Sequence, residues 1–246
     1  MMNPTNTLAE WLKQSKRAVF FGGAGVSTES GIPDFRGAKG IYSKKYGELN
    51  AEDLVSAPYF RADPDGFYRF YREHLLFPEA RPNPAHRALA RWEAEGRISA
   101  VITQNVDGLH QAAGSRKVFE LHGSAHRNHC LRCGKNYDMD FILHSEGVPH
   151  CPDCGGIVKP DVTLFGEALP PHVFEDAAEE VSRADLLIVG GTSLAVYPAA
   201  SLLGYFERGK VALINLTATE ADSRADLVCH QPIGAVLQEV DELLHA

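Results

Sequence analysis

Hydrophobic positions along the chain fall into short unbroken runs separated by longer stretches with helical spacing. Arg17-Ala18-Val19-Phe20-Phe21, Ile98-Ser99-Ala100-Val101-Ile102-Thr103, Val118-Phe119-Glu120-Leu121, Asp185-Leu186-Leu187-Ile188-Val189 and Val211-Ala212-Leu213-Ile214 read as strands. Helical segments lie around them. Residues 5–15 put Leu8, Trp11 and Leu12 on one face, 64–77 start with Pro64 and stop at Pro78, and 84–95 are closed by Gly96. Further helices are expected at about 171–182, 198–207 and 234–244. Strands that are apolar throughout and alternate with helices specify an α/β fold, a parallel sheet with helices on both faces. Two stretches interrupt the rhythm. Residues 38–60 are tyrosine-rich without a clean period, and from about 126 to 158 the composition shifts to Cys, His, Gly and Pro, as in a small inserted module.

Ligands of such sheets bind outside the carboxyl ends of the strands. Gly22–Gly25, Gln104–Asp107, His122, Gly191–Ser193 and Asn215 all fall at those ends, which argues for a single site. Three glycines within Gly22-Gly23-Ala24-Gly25 let backbone approach a ligand closely, and Ser27 and Thr28 suit the start of a helix whose N–H groups face an anion. This is a dinucleotide-type phosphate cradle of imperfect form, because G-x-G-x-x-G/A begun at Gly23 ends on Thr28. Alone, the glycines fit a tight turn without a ligand equally well. Pro33-Asp34-Phe35-Arg36 adds a ring and a guanidinium just past a stiff proline, where a loop could close over a cofactor.

Cys130-x2-Cys133 and Cys151-x2-Cys154, seventeen residues apart, match a four-thiolate zinc pattern, with free thiols or two disulfides as the alternatives. Four protein ligands leave no open position, so the metal would be structural; His126, His129 and His150 are rival ligands to a shell already full. Cys229, alone on an expected strand, reads as a small buried residue. A formal net charge of −8 argues against nonspecific attraction to nucleic acid or an anionic membrane. No apolar run reaches the roughly 20 residues of a membrane helix, and no signal-peptide pattern opens the chain, so a cytoplasmic protein is expected.

Gly23-Ala24-Gly25-Val26-Ser27, Gly31-Ile32-Pro33-Asp34-Phe35-Arg36, Thr103-Gln104-Asn105-Val106-Asp107, Leu121-His122-Gly123, the cysteine quartet and Gly191-Thr192-Ser193 occur in one order. Together they resemble the sirtuin family of NAD-dependent protein-lysine deacylases, in its bacterial-type form, from about residue 17 to the carboxyl-terminal helix. The resemblance implies a Rossmann-type NAD-binding domain (1–37, 78–122 and 159–246) and a small domain from two insertions (38–77 and 123–158), a helical segment plus a zinc module. It implies NAD and one structural zinc ion held by Cys130, Cys133, Cys151 and Cys154. Ala24, Thr28, Phe35 and Arg36 would line the cofactor loop and Gln104 would hold the nicotinamide ribose. Asn105, Val106 and Asp107 would face nicotinamide, Thr192 and Ser193 phosphate or ribose, Asn215 and Leu216 the adenosine, and Ile233 the adenine. His122 would be the general base, with Asn105 and Asp107 completing the catalytic set. Phe165-Gly166-Glu167 and Ser193-Leu194-Ala195-Val196-Tyr197 would clamp an acetyl-lysine peptide as an added β-strand. The expected protein is a monomer that transfers acetyl from lysine to ADP-ribose and releases nicotinamide.

Bland roles stand beside these. Asp107 could cap a helix, Phe35 could pack, Arg36 could belong to a surface ion pair, and His110 reads as packing. Gly22 stands where the family often has threonine. Members that prefer succinyl or malonyl lysine carry Tyr-x-x-Arg in the small-domain helix, whereas Tyr68 is followed three residues later by Tyr71, with Arg69 and Arg72 pointing elsewhere. Acetyl-lysine is therefore the expected substrate. An NAD-dependent ADP-ribosyltransferase, a deacylase for other acyl groups, and a noncatalytic nucleotide sensor or adaptor are the alternatives.

Overall fold

The structure is a computed structural model that describes residues 3–35, 37, 40, 41, 45, 46 and 48–246. Arg36, expected in the cofactor loop, lies outside the described residues. Helix α1 (Pro4–Gln14) begins where the Asn3 side chain accepts the Thr5 N–H, and it buries Leu8, Ala9 and Leu12. In order there follow β1 (Ala18–Gly22), the short hairpin β2 (Lys45–Tyr46) and β3 (Leu49–Asn50), and helices α2 (Ala51–Leu54), α3 (Ala57–Ala62), α4 (Pro64–His74) and α5 (Pro84–Ala94). Next come β4 (Ile98–Thr103), α6 (Leu109–Ala113), β5 (Val118–Glu120), β6 (Gly123–Cys130), β7 (Asn136–Tyr137), α7 (Met139–His144) and β8 (Val158–Val162). The chain ends with α8 (Pro171–Arg183), β9 (Leu186–Gly190), β10 (Lys210–Ile214), β11 (Leu227–Cys229) and α9 (Ile233–His245).

Six strands form one parallel sheet in the order β11-β10-β9-β1-β4-β5. Successive residues of β1 enter opposite layers, as the pleat requires. Phe20 packs with Leu8, Leu89, Trp92 and Leu237 under α1, α5 and α9, while Val19 and Phe21 pack with Val181 and Leu202 on the α8 side. From β1 the sheet grows one way through β4 and β5 and the other way through β9, β10 and β11. The order in which strands are added thus reverses between β1 and β9, and a crevice opens beyond their carboxyl ends.

The second unit is a three-stranded sheet, β7-β6-β8, covered by α3, α4 and α7. Its apolar cluster is separate, built on Phe60, Phe67, Tyr68, Tyr71, Ile142 and Val158. The irregular stretch 38–60 thus contains a hairpin and two short helices among its described residues. Two expectations fail. No α-helix follows the glycine turn: two 3-10 turns, Ala24–Val26 and Thr28–Ser30, end at Gly31 in the left-handed region at φ 86°. The helix expected at 198–207 is a 3-10 segment over Ala199–Tyr205.

Candidate functional site

The carboxyl ends of β1, β4, β9 and β10 open on a cleft of about 1640 Å³. The loops after β1 and β9 meet there. Gly25 N–H donates to Gly191 O at 2.8 Å, and a Cβ on Gly25 would stand 2.7 Å from the Gly191 Cα, so only glycine fits. Ala24, Thr28, Phe35, Gln104, Asn105, Val106, His122, Thr192, Ser193, Asn215, Leu216 and Ile233 all line this cleft, drawn together from across the chain as the sequence suggested. Thr192 and Asn215 lock the ends of β9 and β10 reciprocally: Thr192 N–H donates to Asn215 Oδ1 at 3.0 Å, and Asn215 Nδ2 to Thr192 O at 2.9 Å. Gln104 Nε2 reaches Thr192 Oγ1 at 2.9 Å, linking β4 to β9 across the crevice. Leu216 stands 63% exposed on the rim, whereas Ile233 is buried and packs against the end of β9.

Ser27 explains why no helix starts at the glycine turn. Its side chain is fully buried and turned into the fold, where Oγ donates to Asp107 Oδ2 at 2.6 Å and accepts Asn105 Nδ2 at 3.1 Å. His86 adds a third partner, with Nε2 3.5 Å from Ser27 Oγ. His86 Nδ1 accepts the Asn83 N–H at 3.3 Å, which leaves Nε2 as the protonated nitrogen facing Ser27. Burial holds the His86 pKa down to about 4, so the ring stays neutral. Thr28 Oγ1 turns back to Gly25 O at 2.9 Å rather than forward onto a helix. Tertiary bonds at Ser27 and a local bond at Thr28 replace the caps that the sequence suggested.

Asp107 differs from the other expected site residues because its carboxylate lies behind the wall and not on the lining. Oδ1 accepts the Leu109 N–H at 2.9 Å and Oδ2 the Ser27 hydroxyl, so it both caps the turn into α6 and joins the buried network. Burial raises its pKa, outweighing those two hydrogen bonds. His110 is a packing residue, fully buried with its ring 4.7 Å from that of His86.

His122 is the one imidazole on the cleft wall among the described residues. Its Nδ1 lies 2.9 Å from Gln104 O, and a carbonyl only accepts, so Nδ1 carries the proton and Nε2 keeps its lone pair. Burial lowers the pKa of the ring below the ordinary value, against the opposing pull of the Gln104 carbonyl. The result is a neutral, oriented base beside the glycine turn.

The four expected metal ligands also converge. All four sulfurs lie within 4.8 Å of one another, with Cys130 and Cys154 Sγ 3.4 Å apart and Cys133 and Cys151 Sγ 3.7 Å apart. A disulfide needs about 2.05 Å. A tetrahedral zinc with Zn–S of about 2.3 Å spaces its sulfurs about 3.8 Å apart, which these separations fit. Gly134 and Gly155, at φ 72° and 71°, permit the two knuckle turns. Tyr137 donates its hydroxyl to Cys151 Sγ at 2.9 Å and, as the largest influence, holds that thiol down to about 6. His129 pairs with Asp161, and His126 Nε2 lies 2.9 Å from Asp107 O, so neither joins the quartet.

The sequence pattern of the Sir2 family matches residues 23–198. The chain belongs to the Sir2 family. It is 54% identical to the NAD-dependent protein deacetylase of Clostridium perfringens over 242 residues, covering 98% of this chain and 99% of the relative. It is 51% identical to the protein of that name from Cutibacterium acnes, covering 95% and 96% of the two chains. Among solved structures, a Sir2 complex with a p53 peptide and NAD+ superimposes with a TM-score of 0.88 at 42% identity, covering 98% of each chain. A Sir2 complex with a deacetylated p53 peptide and 3'-O-acetyl ADP ribose gives 0.90 at 42% identity, covering 97% of this chain and 98% of that one.

Two residues of this Sir2 site escaped the sequence. Ser27 suits a helix start by its residue type, yet it is the hub that ties Asn105 to Asp107. Tyr71 lines the cleft, while Tyr68 turns away and donates its hydroxyl to Val158 O. The i, i+3 spacing of Tyr68 and Tyr71 carries no sign of that split. Arg72 does turn from the cleft, its guanidinium donating to Ile142 O at 2.8 Å and Gly147 O at 2.7 Å.

Proposed function

We propose that this chain is an NAD-dependent protein-lysine deacetylase, in which acetyl-lysine, NAD and water become lysine, nicotinamide and O-acetyl-ADP-ribose. The observation that carries this reading is His122, whose bare Nε2 faces a cleft shared with the glycine turn. The relatives and solved complexes above bear the same activity and ligands in their names. The donor set suits NAD: hydroxyls of Thr28, Thr192 and Ser193 and amides of Gln104, Asn105 and Asn215 surround a turn too tight for any Cβ. Bound NAD supplies the ribose carbon whose bond to nicotinamide breaks.

Ala24, Thr28 and Phe35 hold the dinucleotide from the glycine side, and Thr192, Ser193, Asn215, Leu216 and Ile233 hold its phosphates and adenosine. Gln104 fixes the nicotinamide ribose. Asn105 and Val106 orient the nicotinamide, while Asp107, behind the wall, holds Ser27 and through it Asn105 in place. His122 Nε2 takes the proton of a ribose hydroxyl so that its oxygen can attack the acyl carbon, as a neutral imidazole at pH 7 is suited to do. The four cysteines hold one structural zinc ion that closes no cleft and touches no substrate.

Phe165–Glu167 and Ser193–Tyr197 both line the cleft, which supports seating the acetyl-lysine peptide between them as an added strand. The division into an NAD-binding domain (1–37, 78–122 and 159–246) and a small domain (38–77 and 123–158) is supported by the separate apolar cluster of α3, α4, α7 and β6–β8. Thiols kept unpaired at such short range suit the reducing cytoplasm. Of six exposed large hydrophobic residues among the described ones, Phe165, Tyr197 and Leu216 line the cleft, which supports a monomer.

Incubating the protein with NAD and an acetyl-lysine peptide and weighing the products tests the reading. Equal yields of free lysine peptide, nicotinamide and acetylated ADP-ribose are expected. ADP-ribose left on protein, or unchanged NAD, would overturn it.

A further inference from the structure

The segment that follows β8 is held in shape by a side chain outside the cleft. Residues 163–167 all line the cleft, whereas Lys159 is not part of its wall. The segment adjoins the base, because Thr163 N–H donates to His122 O at 2.9 Å. Phe165 is tied through both backbone groups to the loop before α3: its N–H donates to Val55 O at 3.1 Å, and its O accepts the Ala57 N–H at 2.9 Å. Gly166 then turns the chain at φ 87°. Lys159, in the edge strand β8, runs back along its own strand. Its Nζ lies 3.2 Å from Pro160 O, 3.2 Å from Val162 O and 3.2 Å from Glu167 Oε2. An ammonium has three protons to donate, and these are three acceptors. Glu167 Oε2 also accepts the Leu164 N–H at 2.9 Å, which closes the turn over the pair. The Lys159 side chain is only 12% exposed, so solvent and salt screen this ion pair less than one on the open surface.

Resting on the reading of Phe165–Glu167 as half of the peptide clamp, we infer that Lys159 is a positioning residue for the acetyl-lysine peptide, acting through Glu167 to fix the backbone of 163–167. Withdrawing an ammonium from water is costly, and each of the three acceptors that offset the cost lies on β8 or on the clamp it leads into. A peptide added as a strand binds through main-chain hydrogen bonds, so its affinity depends on a backbone held ready before it arrives. The dinucleotide side is fixed by separate bonds at Thr28, Thr192 and Asn215. Loss of Lys159 therefore weakens the hold on peptide and spares the hold on NAD.

The test compares the unaltered full chain with Lys159→Met, Glu167→Gln and the double variant. It measures the Kd of a fluorescent acetyl-lysine peptide by anisotropy, NAD affinity by calorimetry, turnover kinetics and the thermal melt. Lys159→Met is expected to raise the peptide Kd and KM about tenfold, with kcat and NAD affinity held within about twofold. Glu167→Gln keeps an oxygen for the Leu164 N–H and is expected to raise the peptide Kd and KM about threefold. The double variant is expected to bind no more weakly than Lys159→Met, since the two side chains act as one unit. Should Lys159→Met melt below the assay temperature, the same split in Glu167→Gln decides. Unchanged peptide affinity in both single variants, losses that add in the double variant, or peptide and NAD affinity falling together would overturn the role of Lys159. Turnover by the unaltered protein separates the two readings. Where it is present, those outcomes remove only the role of Lys159; an unaltered protein that neither binds nor turns over the peptide removes the deacetylase reading and this inference together.

Discussion

The two ends of the central sheet are both polar, yet they treat charge in opposite ways. At the amino ends, Glu180 sits nearly buried and takes Arg17 Nη2 at 2.7 Å, the Lys117 ammonium and the Ser99 hydroxyl at 3.2 Å. Asp185 there accepts the Ser15 hydroxyl and the N–H groups of Lys16 and Arg17. Burial pushes both carboxyls up, but these partners outweigh it and both pKa values end below the ordinary range. At the carboxyl ends, Asp107 has no lysine or arginine against it among the described residues, and burial wins, raising its pKa. The amino end pairs these two carboxylates within the protein. The carboxyl end leaves a bare imidazole nitrogen on the cleft wall, with a raised carboxylate hydrogen-bonded behind it. Polarity that is satisfied internally is structural, and polarity left open is what a ligand completes.

That contrast can be broken from either side. The largest effect is expected at the open end: His122→Ala should cut deacetylation by about 10²- to 10⁴-fold, the usual range for a general base. Its NAD affinity, measured by titration calorimetry, should stay within a few-fold, and a large loss would make His122 a binding residue instead. Next, Cys130→Ala should release zinc and unfold the β6–β8 unit, since metal binding there is coupled to folding. Zinc content by mass spectrometry and the thermal melt check this; full zinc with an unchanged melt would contradict a structural site.

A smaller effect is expected at the closed end. Glu180→Gln should lower unfolding free energy by about 1–3 kcal/mol in urea titrations while turnover is unchanged. Its sign with pH follows from the shifts. Carboxyls with depressed pKa values, Glu180 and Asp185, contribute stability above the ordinary carboxylate range and lose it as pH falls through their folded values. Asp107, raised, has the opposite sign: it loses stability as pH rises from the ordinary carboxylate range through its folded value. Acid titration should therefore narrow the stability gap between the Glu180→Gln variant and the unaltered protein, and a constant gap would mean that Glu180 does not act through its charge.

The frame of this molecule was legible because its signals are periodic or spaced. Apolar runs marked β1, β4, β5, β9 and β10 to within about a residue or two, and the paired cysteine knuckles marked the zinc site. What remained hidden depends on partners far away in the chain. Ser27 looks like a helix cap until Asn105 and Asp107, some eighty residues on, claim its hydroxyl. Ala199–Tyr205 has helical composition but a 3-10 backbone. Tyr68 and Tyr71 share a helix and a residue type, and only the packing of β8 against α4 decides which one meets the cleft.

The central claim is that a neutral His122, protonated on Nδ1 by its bond to Gln104, presents a bare Nε2 to the cleft. Nitrogen-15 NMR of the histidine rings across a pH titration measures this directly. The expected result is the Nδ1–H tautomer for His122 at pH 7, with the ring gaining its second proton only below the ordinary imidazole pKa of about 6.5. An Nε2–H tautomer, or a ring already charged at pH 7, would contradict it.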